Sequence, residues 1–320
     1  MKFKNAKVVV FVLMMALMAS VSMIGIAQAA PAAKDITIVL IPKVGVPFFD
    51  DCNTGGKTKA AELGVKYEWV VPENTQGSTQ VRILEDLIAR HVDGIAISVN
   101  EPASVESPIK AAIAAGIKVI TFDADSANSE RLFYIGTSNK QAGFDMGKAA
   151  AEQLKGKGKV AFVTGQLGAL NLNERIAGVK EALAEYPGIT VIGDPQGTDD
   201  DLATAVSKCE DLLRANPDLD CVFGTSQVGG PAMAKVLESQ EFADRKGKCL
   251  VYAFDDLVDT MKGISDGYIS ATMVQRPVRM GSLSVQNLYD LIVGNNVKLE
   301  TIDTGCTVVT KANSTSYSKD

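Results

Sequence analysis

One histidine, His91, and one tryptophan, Trp69, are all that 320 residues contain of these two types. A single imidazole gives poor support to a histidine-built metal site or to Cys–His catalysis. Cysteine is sparse as well: Cys52, Cys209, Cys221, Cys249 and Cys306 stand far apart and no two form a C-x-x-C pair, which argues against zinc ribbons and dithiol redox motifs. No basic cluster occurs, and the formal net charge is −6. Neither nucleic acid nor an anionic membrane surface is an expected partner, and a neutral or cationic ligand fits better. Beyond residue 26 no run is apolar enough to span a bilayer.

The N-terminus reads as an export signal over residues 1–29. Lys2, Lys4 and Lys7 precede an apolar run over residues 8–19, and Ala27-Gln28-Ala29 offers the small residues of a cleavage site. No cysteine follows that site, so a free periplasmic protein is expected rather than a lipid-anchored one. Buried free thiols are the expected state of the cysteines; for one disulfide in an oxidising compartment Cys221 and Cys249 are the pair to test, since both open apolar runs that could be neighbouring strands.

The remaining length, about 290 residues, suits two lobes at roughly 150 residues per domain. Short apolar, β-branched runs over residues 36–41, 67–71, 94–99 and 118–123 alternate with amphipathic stretches, the βαβ signature of a parallel sheet buried on both faces. After residues 132–137 the plan restarts, with runs at 159–164, 189–192, 221–223 and 248–254. The expected fold is therefore α/β: two similar lobes, each a parallel sheet flanked by helices. Ser138-Asn139-Lys140-Gln141 reads as a capping box after a first crossing between lobes. A strand at 270–275 and a helix from Pro277 to a Gly294 stop mark a second crossing, and a third is expected near Asp303. The lobes would comprise 36–137 with 276–303, and 138–275 with 304–320, joined by a three-crossing hinge.

Ligands of open α/β sheets bind beyond the carboxyl ends of the strands. Those ends carry Phe48 and Phe49, in what reads as a loop, then Ser98 and Asn100, then Asp123 and Asp125. The second set offers Asn171, Asn173 and Arg175, Asp199 to Asp201, Ser226 and Gln227, Asp255, and Gln275 on the returning strand. Aromatic rings take the C–H face of a sugar while carboxylates, amides and a guanidinium take its hydroxyls, so the set suits a polyhydroxylated neutral molecule. Gly56-Lys57-Thr58 is set aside as a phosphate loop, because Asp51 stands where that motif requires glycine, and Trp69 reads as buried packing.

Pro47-Phe48-Phe49, Thr121-Phe122-Asp123, Glu174-Arg175, Phe254-Asp255 and Ala271-Thr272-Met273-Val274-Gln275 follow one another in an order and spacing that resemble the ribose-binding branch of the type I periplasmic binding proteins. The resemblance covers nearly all of the chain beyond the signal. It implies that Phe48 and Phe49 pack on a sugar, that Asp123, Arg175 and Asp255 bond its hydroxyls, and that Gln275 lies by the hinge. Ala124, Ser226, Val46 and Asp200 depart from the ribose binder's residues, which argues against ribose itself. Ile41-Pro42-Lys43 is similar to the rhamnose and autoinducer binders of the same superfamily and makes Lys43 a ligand candidate.

The resemblance implies a monomeric periplasmic receptor that delivers a sugar or polyol to the membrane permease of an ABC importer by hinge closure, with no cofactor. A chemoreceptor is a compatible second partner. The rivals are a receptor for autoinducer or another non-sugar solute, and a carbohydrate-active enzyme using Asp123 and Asp125 as paired carboxylates.

Overall fold

The computed structural model describes residues 31–317, and the export signal read over residues 1–29 lies outside the described residues. In the first lobe β1 (Thr37–Ile41), β2 (Lys66–Trp69), β3 (Gly94–Ile97), β4 (Lys118–Phe122) and β5 (Tyr134–Gly136) alternate with α1 (Pro47–Leu63), α2 (Gly77–Ala89) and α3 (Pro102–Ala114). The second lobe carries α4 (Asn139–Gln153), β6 (Lys157–Thr164), α5 (Leu170–Leu183), β7 (Gly188–Val191), β8 (Gln196–Gly197), α6 (Leu202–Ala215), β9 (Cys221–Gly224), α7 (Gly229–Glu238), β10 (Leu250–Phe254), α8 (Val258–Asp266) and β11 (Ala271–Val274). Last come α9 (Pro277–Val293), β12 (Ile302–Asp303) and β13 (Thr307–Thr310).

The first sheet runs β2-β1-β3-β4-β5-β12 with every pair parallel. The second runs β7-β6-β9-β10-β11-β13, with β8 also on β6 and only β13 antiparallel. Both share one doubly wound order, whose switch point opens a crevice at the carboxyl ends of the first and third strands. The alternation of side chains explains why β1 is apolar throughout. Ile38 and Leu40 fill one core, Val39 and Ile41 the other, and all four are fully buried.

The chain leaves the first sheet after β5 and enters the second through α4. It returns after β11 into α9, and passes from β12 in the first sheet to β13 in the second. Helices α9 and α1 pack so closely that a Cβ on Gly281 would lie 1.9 Å from the Cys52 carbonyl oxygen, and one on Gly55 2.0 Å from that of Val278. The second lobe repeats the device. A Cβ on Gly143 of α4 would stand 2.1 Å from the Arg175 carbonyl oxygen, and one on Gly178 of α5 2.0 Å from that of Lys140.

Three local expectations are corrected, and the buried thiols expected of the cysteines are found at four of the five. Phe48 and Phe49 lie in the first turn of a helix, not in a loop: Pro47 occupies its first position with the fixed φ a helix start favours, while Gly55 and Gly56 obscure the helical pattern in sequence. Ser138 does precede α4 but forms no capping box. Its backbone N–H donates to Asp303 Oδ1 at 3.1 Å, and Gln141 turns to Asp145. Cys221 opens β9 and Cys249 immediately precedes the neighbouring β10, but the two belong to different cores, the first packed with Phe223 and the second with Val251. None of the five forms a disulfide, and four are buried. Trp69 is only half-buried against the first-lobe core, because β2 is an edge strand.

Candidate functional site

The carboxyl ends of both sheets face one cleft, lined from the first lobe by Lys43, Val44, Val46, Phe48, Phe49 and Asp123. From the second lobe come Asn171, Leu172, Arg175, Asp200, Ser226, Gln227, Asp255 and Gln275. Lys43 Nζ spans it, 3.6 Å from Asp123 Oδ2 in its own lobe and 3.4 Å from Asn171 Oδ1 in the other.

Each aromatic is held by another. Phe48 and Phe49 meet edge to face with centroids 5.1 Å apart, and Phe49 meets Phe122 likewise at 6.3 Å. The rings therefore lose little further freedom when a ligand packs on them. Asp123, just past β4, accepts from Ser98 Oγ at 2.6 Å. Arg175 is 2% exposed: Nε donates to Asn139 Oδ1 at 2.9 Å, Nη1 to the Thr225 carbonyl at 2.9 Å, and the guanidinium lies 3.9 Å over the Phe254 ring. Nη2 meets no protein acceptor, and neither does Gln227 Oε1 meet a donor. Unpartnered buried polar atoms cost on the order of 1–3 kcal/mol each, so their gathering at one cleft marks a ligand site.

Backbone strain marks the same place. Among the described residues six non-glycine residues adopt positive φ, and four of them are Asp123, Asp199, Asp200 and Asp255, all but Asp199 lining the cleft. Aspartate tolerates the left-handed region better than most residues, and such strain concentrates at functional sites. Asp123 (φ 57°) and Asp255 (φ 65°) occupy the same position after the fourth strand of each lobe's winding. Burial pushes the Asp255 carboxyl up to about 6, against the opposing pull of Arg175 and of the Gln275 amide, which donates to Oδ1 at 3.0 Å. Burial also raises the Asp200 carboxyl, with Lys43 opposing.

Of the residues singled out in sequence, Lys43, Phe48, Phe49, Asp123, Arg175, Ser226, Gln227, Asp255 and Gln275 line the cleft. Ser98 and Asn100 do not. Ser98 holds Asp123 from behind, and Asn100 Nδ2 donates to the Lys43 carbonyl at 3.0 Å. Asn173 is exposed and caps the Leu167 carbonyl at 2.8 Å, while Asn171 reaches the cleft in its place. The spacing could have told them apart, since Asn171 and Arg175 are four apart on α5 and share a face. Sequence reasoning gave no role to Gln80, fully buried, which bonds the carbonyls of Pro42 and Ser98 and the backbone N–H of Asn100, tying the loops after β1 and β3 together. Asp125 is bound by both Nε and Nη2 of Arg131, so it does not pair with Asp123 as an enzymatic dyad would require.

Comparison with known proteins agrees with this geometry. Residues 37–296 match the periplasmic binding protein domain. A solute-binding protein of an ABC transporter from Burkholderia graminis C4D1M, solved in complex with D-arabinose, is 63% identical with a TM-score of 0.88, covering 90% of this chain and 99% of that one. A glucose-galactose binding protein from Geobacillus stearothermophilus is 31% identical with a TM-score of 0.82, over 87% and 98%. The ribose import binding protein of Bacillus subtilis is 29% identical over 268 residues, 83% of this chain and 84% of that protein. The match over both lobes places this chain in the periplasmic binding protein family.

Proposed function

We propose that this protein is the exported receptor of a sugar importer, and that it captures a neutral monosaccharide, in the first instance a pentose of the D-arabinose type, between its lobes. The observation that carries this reading is the division of labour in the cleft. Paired rings at Phe48 and Phe49 meet one surface of a ligand, while Asp123, Arg175, Asp255, Gln227 and Gln275 offer both donors and acceptors to its rim. Three carboxylates against Lys43 and Arg175 disfavour an anionic sugar.

In this reading residues 36–137 with 276–303 rotate against 138–275 with 304–320. Ligand contacts with both walls exist only when the cleft is shut, and such differential contacts are what shift a two-state equilibrium. The closed form docks on a membrane permease from the periplasm, and the sugar leaves chemically unchanged. The 63% identical relative solved with D-arabinose supports a pentose as the first ligand to test.

The test is the melting temperature of residues 30–320 against pentoses, hexoses, deoxysugars and polyols. A sugar at a hundredfold its Kd should add about 2.7 kcal/mol of stability. A shift with one pentose, and that sugar recovered intact, is expected. No shift across the panel in protein freed of bound ligand, or turnover of the sugar, overturns the reading.

A further inference from the structure

Arg175 reaches the ligand space with one nitrogen, and the residues that leave it only one lie outside the cleft. Nε is taken by Asn139 and Nη1 by the Thr225 carbonyl, with Phe254 against the guanidinium face. Two edge bonds and one stacked face fix a planar guanidinium completely. Asn139 is 3% exposed and can serve Nε only if its amide oxygen, not its nitrogen, faces the arginine. What meets the other end of an amide decides that orientation. Here it is Tyr134, together with the Glu174 carboxylate that the same amide also hydrogen-bonds: Asn139 Nδ2 donates to Tyr134 Oη at 3.3 Å, and the hydroxyl in turn stands 2.8 Å from the Asp123 carbonyl. Burial raises the phenol well above its usual range, so it stays protonated and donates to that carbonyl. Gly136 makes room, since a Cβ there would lie 2.0 Å from Tyr134 Oη.

Tyr134 is on β5 and Asn139 opens α4, so the two stand on either side of the first crossing between lobes. Asp123 and Arg175, which they hold, stand on opposite walls of the cleft. We infer that Asn139 is a positioning residue for ligand binding: acting through Arg175, and oriented by Tyr134, it aims Nη2 into the cleft and ties the Asp123 turn to the guanidinium behind the ligand. The effect on affinity rests on the sugar-receptor reading; the aiming of Arg175 does not, because Asn139 and Arg175 belong to the same lobe.

Two readouts keep those apart. Titration calorimetry with the pentose that shifts the wild-type melting temperature should give a Kd roughly tenfold weaker in Asn139→Ala and a few-fold weaker in Tyr134→Phe, the losses expected for single hydrogen bonds. In ligand-free protein the Nε–H resonance of Arg175, assigned through Arg175→Lys, should exchange slowly with solvent. It should exchange roughly tenfold faster or more in Asn139→Ala, yet stay protected in Asn139→Asp, which keeps the acceptor. Wild-type Nε–H exchange in Asn139→Ala overturns the inference whether or not any sugar binds. Wild-type affinity and exchange in Tyr134→Phe overturn the link across the crossing. If Asn139→Ala does not fold, Asn139→Asp and Tyr134→Phe decide. A wild-type protein that binds no sugar refutes the receptor reading alone and leaves the exchange result to stand or fall separately.

Discussion

The two walls of the cleft grow from one winding repeated twice, yet they do different work. After β1 the first lobe begins its helix with Pro47-Phe48-Phe49, and four of its six lining residues are apolar. After β6 the second lobe begins its helix with Leu170 and Asn171, and seven of its eight lining residues are polar or charged. The backbone plan fixes where a lining residue sits, and the first turn of each helix decides what it offers. A duplicated architecture thus makes an asymmetric site, one wall suited to the C–H surface of a ring and the other to its hydroxyls.

The sharpest way to break that comparison is to disarm the polar wall. Arg175→Ala should weaken binding on the order of 100-fold or more by calorimetry, because it removes a charge-assisted donor and leaves Asp255 without its nearest cation. Phe48→Ala on the apolar wall should cost less, about tenfold, since neighbouring Phe49 remains in its edge-to-face seat against Phe122. Equal losses from the two variants would erase the claimed division.

Acid tests the polar wall through Asp255. The Asp255 carboxyl is raised to about 6 by burial, so in the ligand-free protein it takes a proton as pH falls through that value and ceases to be a full acceptor. Affinity should therefore drop about tenfold between pH 7.5 and 5, and Asp255→Asn should flatten the profile while lowering affinity at neutral pH. The stability contribution of the same group has the opposite sign. A folded-state value above the unfolded one means the native protein binds more protons, so this group favours the fold more as pH falls from about 6 towards its ordinary value. A flat affinity profile in the wild type would remove Asp255 from the ligand's partners.

The smallest effect is expected at Asn173, which sequence reading placed in the site and the structure turns outward. Asn173→Ala should leave affinity unchanged and move stability by no more than about 0.5 kcal/mol in urea unfolding. Loss of binding in this variant would mean that α5 presents a different face to the ligand.

How much was legible in the chain follows from how local each determinant is. The all-apolar run of β1 and the Pro277 and Gly294 ends of α9 act within a few residues, and the main strands β1–β4, β6, β7 and β9–β11 and helix α9 were read correctly, whereas the short strands β5, β8, β12 and β13 were not. Because the crevice of this winding lies at strand ends, Asp123, Arg175, Asp255 and Gln275 could be expected to line the cleft without any structure. The local reading failed where two features competed. Gly55 and Gly56 hid the helical character of α1, and the third crossing at Asp303 satisfies a backbone group that the Ser138 capping box would have served differently.

Gln80 and the role of Asn139 were beyond reach for another reason. Their meaning lies in partners far along the chain: Gln80 bonds Pro42 38 residues away, and Asn139 holds Arg175 36 residues away. The sequence by itself determined the alternation of strands and helices, the duplication into two lobes and the chemical inventory at the strand ends, since each follows from hydrophobic period, propensity and winding. Only the tertiary structure decided which of those side chains face one another and which nitrogen of Arg175 is left without a protein partner. Hydrogen bonds and burial across 30 or more residues depend on how helices seat against sheets, and close packing, unlike periodicity, leaves no local mark in a sequence.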